Sequence, residues 1–519
     1  MPIGDALEPI VPRVAFFWQN QTVPERVNWK ELPESKPFMS SRSRVLRARA
    51  GAARGRVQMW LSQFILALVT QVDANDWTQA GAAFSGDAPN DNFGRVVSVS
   101  GDGTRLIAGA FRNDARGANA GHVKVYEKTS GSWMQLGNTI QGHSGDKAGI
   151  KVSISRDGSR VAYGGPGLIS ARGVVRVYEL SASSFWTQVG GDIRGEANGD
   201  AAQGVALSEN GSRIYVGSPL STNSGSVRMF DYASGSWTQK GAKIYGSGRG
   251  FGYQLATSNN GSRVVVGQKQ YDYGPGGSNA GHARIYEYTP SQTSRHPHGW
   301  TQLGTDDTAT LNGDGGKDYF GEGVSMSGDG ATVVIGADSY SPNPGYARVL
   351  AWSSGSWTQV GQEIVGETAS FSPGISVAMN EDGSIVAVGQ AQNAGTSTDA
   401  AVPNGHARVF RYSSSTGAWA QLGGDVDGNL AGGEAGSSVA LSSNGLTLAV
   451  GAPKASDNGQ VSVFDFPPPS PPTPPPTPQT PPPAKPLAPS PASSAKVRVE
   501  AGGSLVVKAG AILNIGTAA

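Results

Sequence analysis

The sequence predicts an all-β fold, a seven-bladed β-propeller with four-stranded antiparallel blades, from a repeated tryptophan signature, a repeated hairpin turn and a repeated alternating strand. Trp-x-Gln-x-Gly occurs at Trp77, Trp133, Trp186, Trp237, Trp300, Trp357 and Trp419, at intervals of 51 to 63 residues. That period is long for a solenoid turn and suits a blade of four strands with loops of variable length. Seven tryptophans in one structural position mean seven units, and blade-to-blade packing explains them better than a sugar-stacking platform.

The hairpin comes next in each unit. A short alternating strand runs into Asp-Gly or Asn-Gly, with turn glycines at Gly103, Gly158, Gly211, Gly261, Gly330, Gly383 and Gly445. Each is followed six positions later by another glycine, from Gly109 to Gly451. Asp-Gly and Asn-Gly supply the positive φ angles of a tight hairpin. The third element is a glycine-led strand: GHVKVY from Gly121, GVVRVY from Gly173, GSVRMF from Gly225, GHARIY from Gly281, GYARVL from Gly345, GHARVF from Gly405 and GQVSVF from Gly459. Its apolar row alternates with a basic or polar row, the pattern of a half-buried strand. The tryptophan strand is the fourth. The first unit begins at that fourth strand and the last ends at the third, so residues 77–81 are expected to complete the blade built from 435–466 and close the ring, which leaves no open sheet edge.

With these residues in view, the chain resembles the FG-GAP-type propellers, the family that includes the integrin α head. The likeness is carried by Phe93-Gly94, Phe251-Gly252 and Phe320-Gly321 before the first strand of a unit, and by Gly-Ala-Phe at 109, Gly-Ser-Pro at 217 and Gly-Ala-Pro at 451 after the second. Ala148-Gly149, Pro373-Gly374 and Ala435-Gly436 replace Phe-Gly elsewhere, and Gly267-Gln268 and Gly389-Gln390 replace Gly-Ala. The resemblance implies the propeller fold over about 390 residues. It does not bring the family's calcium loop, because no unit has the Asp-x-Asp-x-Asp-Gly run of oxygen ligands that a hard cation needs. Adhesion is an analogy of fold.

Composition agrees with the fold and narrows the function. The 519 residues include 74 glycines and 32 prolines, and 16% are charged. The absence of cysteine removes disulfides and thiol chemistry. A net charge of +1 gives no electrostatic reason to expect a nucleic-acid partner. No P-loop, dinucleotide fingerprint or nucleophile elbow is present. The expectation is a monomeric propeller that is not an enzyme and has no cofactor or metal, and that binds a glycan or a protein. A structural wall component is the first alternative and a propeller glycosidase or lyase the second.

The loops after the second strand and the links between blades should share one face. Inserts at Arg112–Ala120, Gln268–Ala280, Asp338–Pro344 and Ala391–Asn404 point to that face as the binding surface. The candidate ligand-binding residues are Tyr271, Tyr273 and Tyr340, for stacking on a glycan, and the repeated link acids Asp91, Asp146, Asp200, Asp318 and Glu434, which could ring the channel mouth. Ordinary turn chemistry is the competing account of those acids. His122, His282 and His406 share one repeat position and read as structural or surface residues, whereas His296 and His298 form a weak metal signal.

Outside the repeats, residues 1–74 read as a leader with a signal peptide. Arg42–Arg56 is basic, Trp60–Thr70 is apolar but too short to span a bilayer, and Val72-Asp73-Ala74 suits cleavage. The start is expected at Met39 or Met59, and the protein outside the cell or in its wall. An organelle transit peptide is the alternative. Residues 467–494 form a proline-rich linker suited to polyproline II, and 495–519 a short β-rich tail.

Overall fold

The computed structural model describes residues 76–468, apart from 168–171, 198–199, 201, 222–223, 273–276, 291–298, 306–308, 339–343, 368–374 and 394–402. The chain divides into units Met1–Pro467 and Pro468–Ala519. The leader, nearly all of the linker and the tail lie outside the described residues.

Seven antiparallel sheets of the predicted four-strand order make up the propeller. Blade 1 runs from the inner strand Val97–Val99 through Arg105–Ala110 and His122–Thr129 to the outer strand Ser132–Gln135. The other inner strands are Lys151–Ile154, Gly204–Leu207, Gln254–Thr257, Gly323–Met326, Ile375–Met379 and Ser438–Leu441. Each inner strand touches the next, and the seventh touches the first. The ring closes as expected: Thr78 and Gln79 pair with Asp465 and Phe464 on the third strand of blade 7. In five blades the chain pairs once more with the third strand after its outer strand, for example at Ile140–Gln141. The described residues include a 3-10 turn at Ala309–Leu311.

The core lies between blades. One cluster joins Ile107, Val123 and Val125 of blade 1 to Val152, Ile154, Val161 and Tyr163 of blade 2. The tryptophans stitch the same interfaces. Trp186 Nε1 donates to Leu136 O at 2.8 Å, Trp237 to Val189 O at 2.9 Å, Trp357 to Leu303 O at 3.0 Å and Trp419 to Val360 O at 2.8 Å, each acceptor lying at the end of the preceding blade's outer strand or one residue past it. Trp300 reaches Ala242 O at 2.9 Å, where a bulge offsets the register. Trp77 donates to Leu422 O at 2.8 Å, so the closing blade is stitched like the others. Trp133 differs, because its buried Nε1 has no acceptor.

The glycine six residues past each turn permits a close blade contact. A Cβ on Gly217 would lie 1.8 Å from the carbonyl oxygen of Gly252, and one on Gly451 would lie 2.0 Å from that of Gly94. Phe93, Phe251 and Phe320 beside this contact are fully buried.

The third strands correct one sequence expectation. Their basic row does not face solvent: Lys124, Arg176, Arg228, Arg284, Arg348 and Arg408 are all buried. A blade is covered on both faces by its neighbours, so the alternation separates two buried environments. Charge is tolerated there because acids accompany it. Arg176 bonds Asp192 at 2.7 Å and Asp146 at 2.9 Å, and Arg348 bonds Glu363 at 2.6 Å and Asp314 at 2.7 Å.

Candidate ligand-binding site

The two ends of the central channel differ. At one end the seven hairpin turns form a closed collar of backbone hydrogen bonds: Gly101 donates to Arg156 O, Asp157 to Glu209 O, Glu209 to Asn259 O, Asn259 to Gly328 O, Gly328 to Glu381 O, Glu381 to Ser443 O and Ser443 to Gly101 O. Each turn is braced from within. In blade 1 the Asp102 carboxylate accepts from Ser100 Oγ and from Thr104 N, and Ser100 Oγ accepts from Arg105 N. The lone carboxylate or amide of each turn is thereby used by the turn itself, in keeping with the missing calcium loop. Side chains then plug this end. Arg156 of blade 2 reaches across to Glu381 of blade 6 at 3.1 Å, and Asn259 Nδ2 donates to Glu381 Oε1 at 2.9 Å.

The opposite end is open, with a cavity of about 310 Å³. It is built from residues at the start of the inner strands or just before them, which include Arg95, Lys151, Tyr253, Gln254, Glu322, Ser376 and Ser438, together with Phe111 just before the first insert. The loops and links therefore gather at this end, as the topology requires. Lys151 Nζ donates to Gln254 Oε1 at 2.9 Å and lies 4.1 Å from the centroid of the Tyr253 ring. Gln254 Nε2 in turn donates to the Glu322 backbone oxygen at 2.7 Å. Glu322 pairs with Lys269 at 2.6 Å. Three basic residues and one acid thus meet around the mouth. Dehydration, aided by repulsion from Arg95 and Lys269 and opposed by Glu322, brings the Lys151 ammonium down to about 7. The residue is only half-buried, so channel water tempers that shift.

The link acids are not among the residues lining this cavity. Four of them cap their own turns through the amide three residues earlier: Asp91 accepts from Ala88 N at 3.0 Å, Asp146 from His143 N at 3.0 Å, Asp200 from Ala197 N at 3.1 Å and Asp318 from Gly315 N at 2.8 Å. They also brace neighbouring segments. Asp91 accepts from Asn113 Nδ2 of the first insert at 2.9 Å, and Glu434 pairs with Lys454 of the last loop at 2.6 Å. This geometry favours turn chemistry for the acids over a ring for a cation. Tyr271 is half-buried, with its ring tilted against His282 at 3.9 Å between centroids. Tyr273 and Tyr340, like His296 and His298, lie outside the described residues. The three repeat histidines are buried at 0–2% exposure, which rules out a surface role for them.

Sequence reasoning missed Arg95, Lys151 and Glu322 because they belong to different units. Alignment on the glycine of Phe-Gly exposes them: the one or two residues after Gly94, Gly149, Gly252 and Gly321 enter the channel mouth, giving Arg95, Lys151, Tyr253, Gln254 and Glu322.

Among known proteins, residues 77–126 match the FG-GAP repeat family. No curated protein matches the chain in sequence. Solved structures of similar shape include that of U3-55K, at 15% identity and a TM-score of 0.46, covering 75% of this chain and 98% of that one. The hydrazine synthase of Kuenenia stuttgartiensis is similar at 12% identity and a TM-score of 0.46, covering 74% and 97%. A protein from Lactobacillus plantarum follows at 15% identity and a TM-score of 0.43, covering 67% and 88%. No helix among the described residues is long and apolar enough to cross a membrane. The chain is a seven-bladed β-propeller whose residues 77–126 match the FG-GAP repeat family.

Proposed function

We propose that this propeller is a non-catalytic binding module that takes the acidic end group of a glycan into the open mouth of its channel. The observation that carries the reading is the basic, hydroxyl- and amide-lined mouth at the loop-bearing end, set against a plugged opposite end. Arg95 is exposed at the rim, and Tyr253, Gln254, Ser376 and Ser438 stand near it. A carboxylate or sulfate would meet Arg95 and Lys151, and the neighbouring polar groups suit sugar hydroxyls. A cavity of about 310 Å³ fits one end group better than a peptide surface. The basic, apolar leader and the proline-rich segment support placement outside the cell. Screening the full chain against acidic and neutral oligosaccharides tests the reading. Acidic sugars should bind, less tightly as salt rises. Binding only to proteins, or equally to neutral sugars, would overturn it.

Lys151 favours a second reading, an enzyme. A dehydrated amine beside a tyrosine and a carboxylate is suited to proton transfer near neutral pH. Turnover of a bound acidic glycan that disappears in Lys151→Met would establish it.

A further inference from the structure

Three blades begin their third strand with a buried histidine, but only one surrounds it with carboxylates. In blade 4, His282 Nε2 meets Gln268 Oε1 at 3.0 Å, the ring is covered by Tyr271, and the cross-strand neighbour is Asn312. In blade 1, His122 has Asp87 at 3.9 Å and Gln141 as its register partner. In blade 6, His406 is fully buried and faces three acids, with Nδ1 lying 3.9 Å from Glu367 Oε2, 3.9 Å from Asp425 Oδ2 and 3.9 Å from Asp427 Oδ1. The ligand atoms of Glu367, His406 and Asp425 lie within 4.8 Å of one another.

The ring's orientation fixes what faces those acids. Nε2 lies 3.1 Å from Gln390 Oε1, and Arg408 also donates to that oxygen at 3.4 Å, so it is the oxygen of the amide that is presented. Nε2 therefore carries the proton of a neutral imidazole, and the Nδ1 lone pair points at the acids. Nδ1 has no hydrogen-bond partner. A lone pair and several anionic oxygens converging on one point repel each other unless a cation stands between them.

We propose that Glu367, His406 Nδ1 and Asp425, with Asp427 beside them, form a binding site for a divalent transition-metal cation of the zinc type. One imidazole nitrogen with carboxylates suits zinc better than calcium, which takes oxygen ligands only. Bonds of about 2.1 Å place tetrahedral ligand atoms about 3.4 Å apart, so the histidine-to-acid distances of 3.9 Å need to close by about half an ångström, and the widest spacing, at most 4.8 Å, by up to about 1.4 Å. The outer shell is in place. Gln421 Nε2 holds Asp425 Oδ1 at 2.7 Å and Arg408 holds Glu367 Oε1 at 3.3 Å, which leaves the second oxygen of each facing the histidine. The partly exposed acids give an entry path. A bound ion would clip the link before blade 6 to its third strand and to the end of its outer strand.

The test is calorimetric titration of the chelator-stripped full chain with zinc chloride, with the melting temperature read in parallel. One zinc per chain and a raised melting temperature are expected, and Glu367→Gln and Asp425→Asn should each weaken binding by roughly tenfold or more. Both positions are accessible to solvent, so these variants should fold even if His406→Gln does not. No uptake at excess zinc overturns the proposal. So does uptake unchanged in the Glu367→Gln, Asp425→Asn double variant, since the ion would then sit elsewhere.

Discussion

Trp237 and Trp133 occupy the same place in their blades and are both partly buried, but they differ in one bond. Trp237 Nε1 donates to Val189 O at 2.9 Å, whereas Trp133 Nε1 is buried without an acceptor. Substitution by phenylalanine removes the same indole atoms from each, so the transfer and cavity terms largely cancel in the comparison. What remains is the hydrogen bond. In Trp237→Phe a bond worth about 1 kcal/mol is lost and the Val189 carbonyl is stranded, at about 1–3 kcal/mol if water does not reach it. In Trp133→Phe the change removes a buried donor that had no partner, which is neutral or favourable on this term. Trp237→Phe should therefore destabilise the propeller by ~1–3 kcal/mol more than Trp133→Phe. In urea, at ~3 kcal/mol per molar for a domain of this size, the unfolding midpoints should differ by about half a molar. Equal midpoints, or a larger loss for Trp133→Phe, would refute the reasoning that the indole bonds stitch the blades.

Gly217→Ala places a Cβ 1.8 Å from the Gly252 carbonyl oxygen and should destabilise by roughly 3 kcal/mol or more, measured by the same denaturation, because two backbones must part. Acid should weaken the fold through its turns. Burial alone would raise the Asp102, Asp157 and Asp382 carboxyls, but hydrogen bonds within each turn hold them below the ordinary 3.8. Their stabilisation is complete above the unfolded value and is lost as pH falls through the lower folded values, so the urea midpoint should drop steeply below about pH 4 and less steeply in Asp102→Asn. Lys151 adds a pH dependence of the same sign at higher pH. Its folded value of about 7 lies below the unfolded 10.5, so its penalty is full below about pH 7 and fades as pH rises to 10.5, and Lys151→Met should flatten that slope in the melting temperature.

The features that repeat were legible in the sequence. Seven tryptophans, seven turn glycines and seven glycine-led strands give the blade count, and the offset between the first and last units gives the closure later seen at Thr78 and Gln79. What the sequence concealed depends on blades meeting around an axis. Arg156 and Glu381 are 225 residues apart and pair only because the channel brings opposite blades together. Arg176 and Arg348 read as a solvent-facing row because alternation shows that two faces differ, not that one is wet. The link acids show the limit of residue type as a guide. A carboxylate in a glycine-rich link looks the same whether it awaits a cation or caps the amide three residues back, as Asp91 does. His406 differs from His122 and His282 in the acids that face it, and two of these, Asp425 and Asp427, are brought there by the register of a two-residue strand.

Binding of an acidic glycan at the open, basic end of the channel, and not at the collar end, is tested by the affinity of the full chain for an acidic oligosaccharide, compared with that of Arg95→Glu at the open mouth and Ser443→Glu at the plugged end. Arg95→Glu should abolish binding and Ser443→Glu should leave it unchanged. Binding that survives Arg95→Glu, or that falls only with Ser443→Glu, would contradict it.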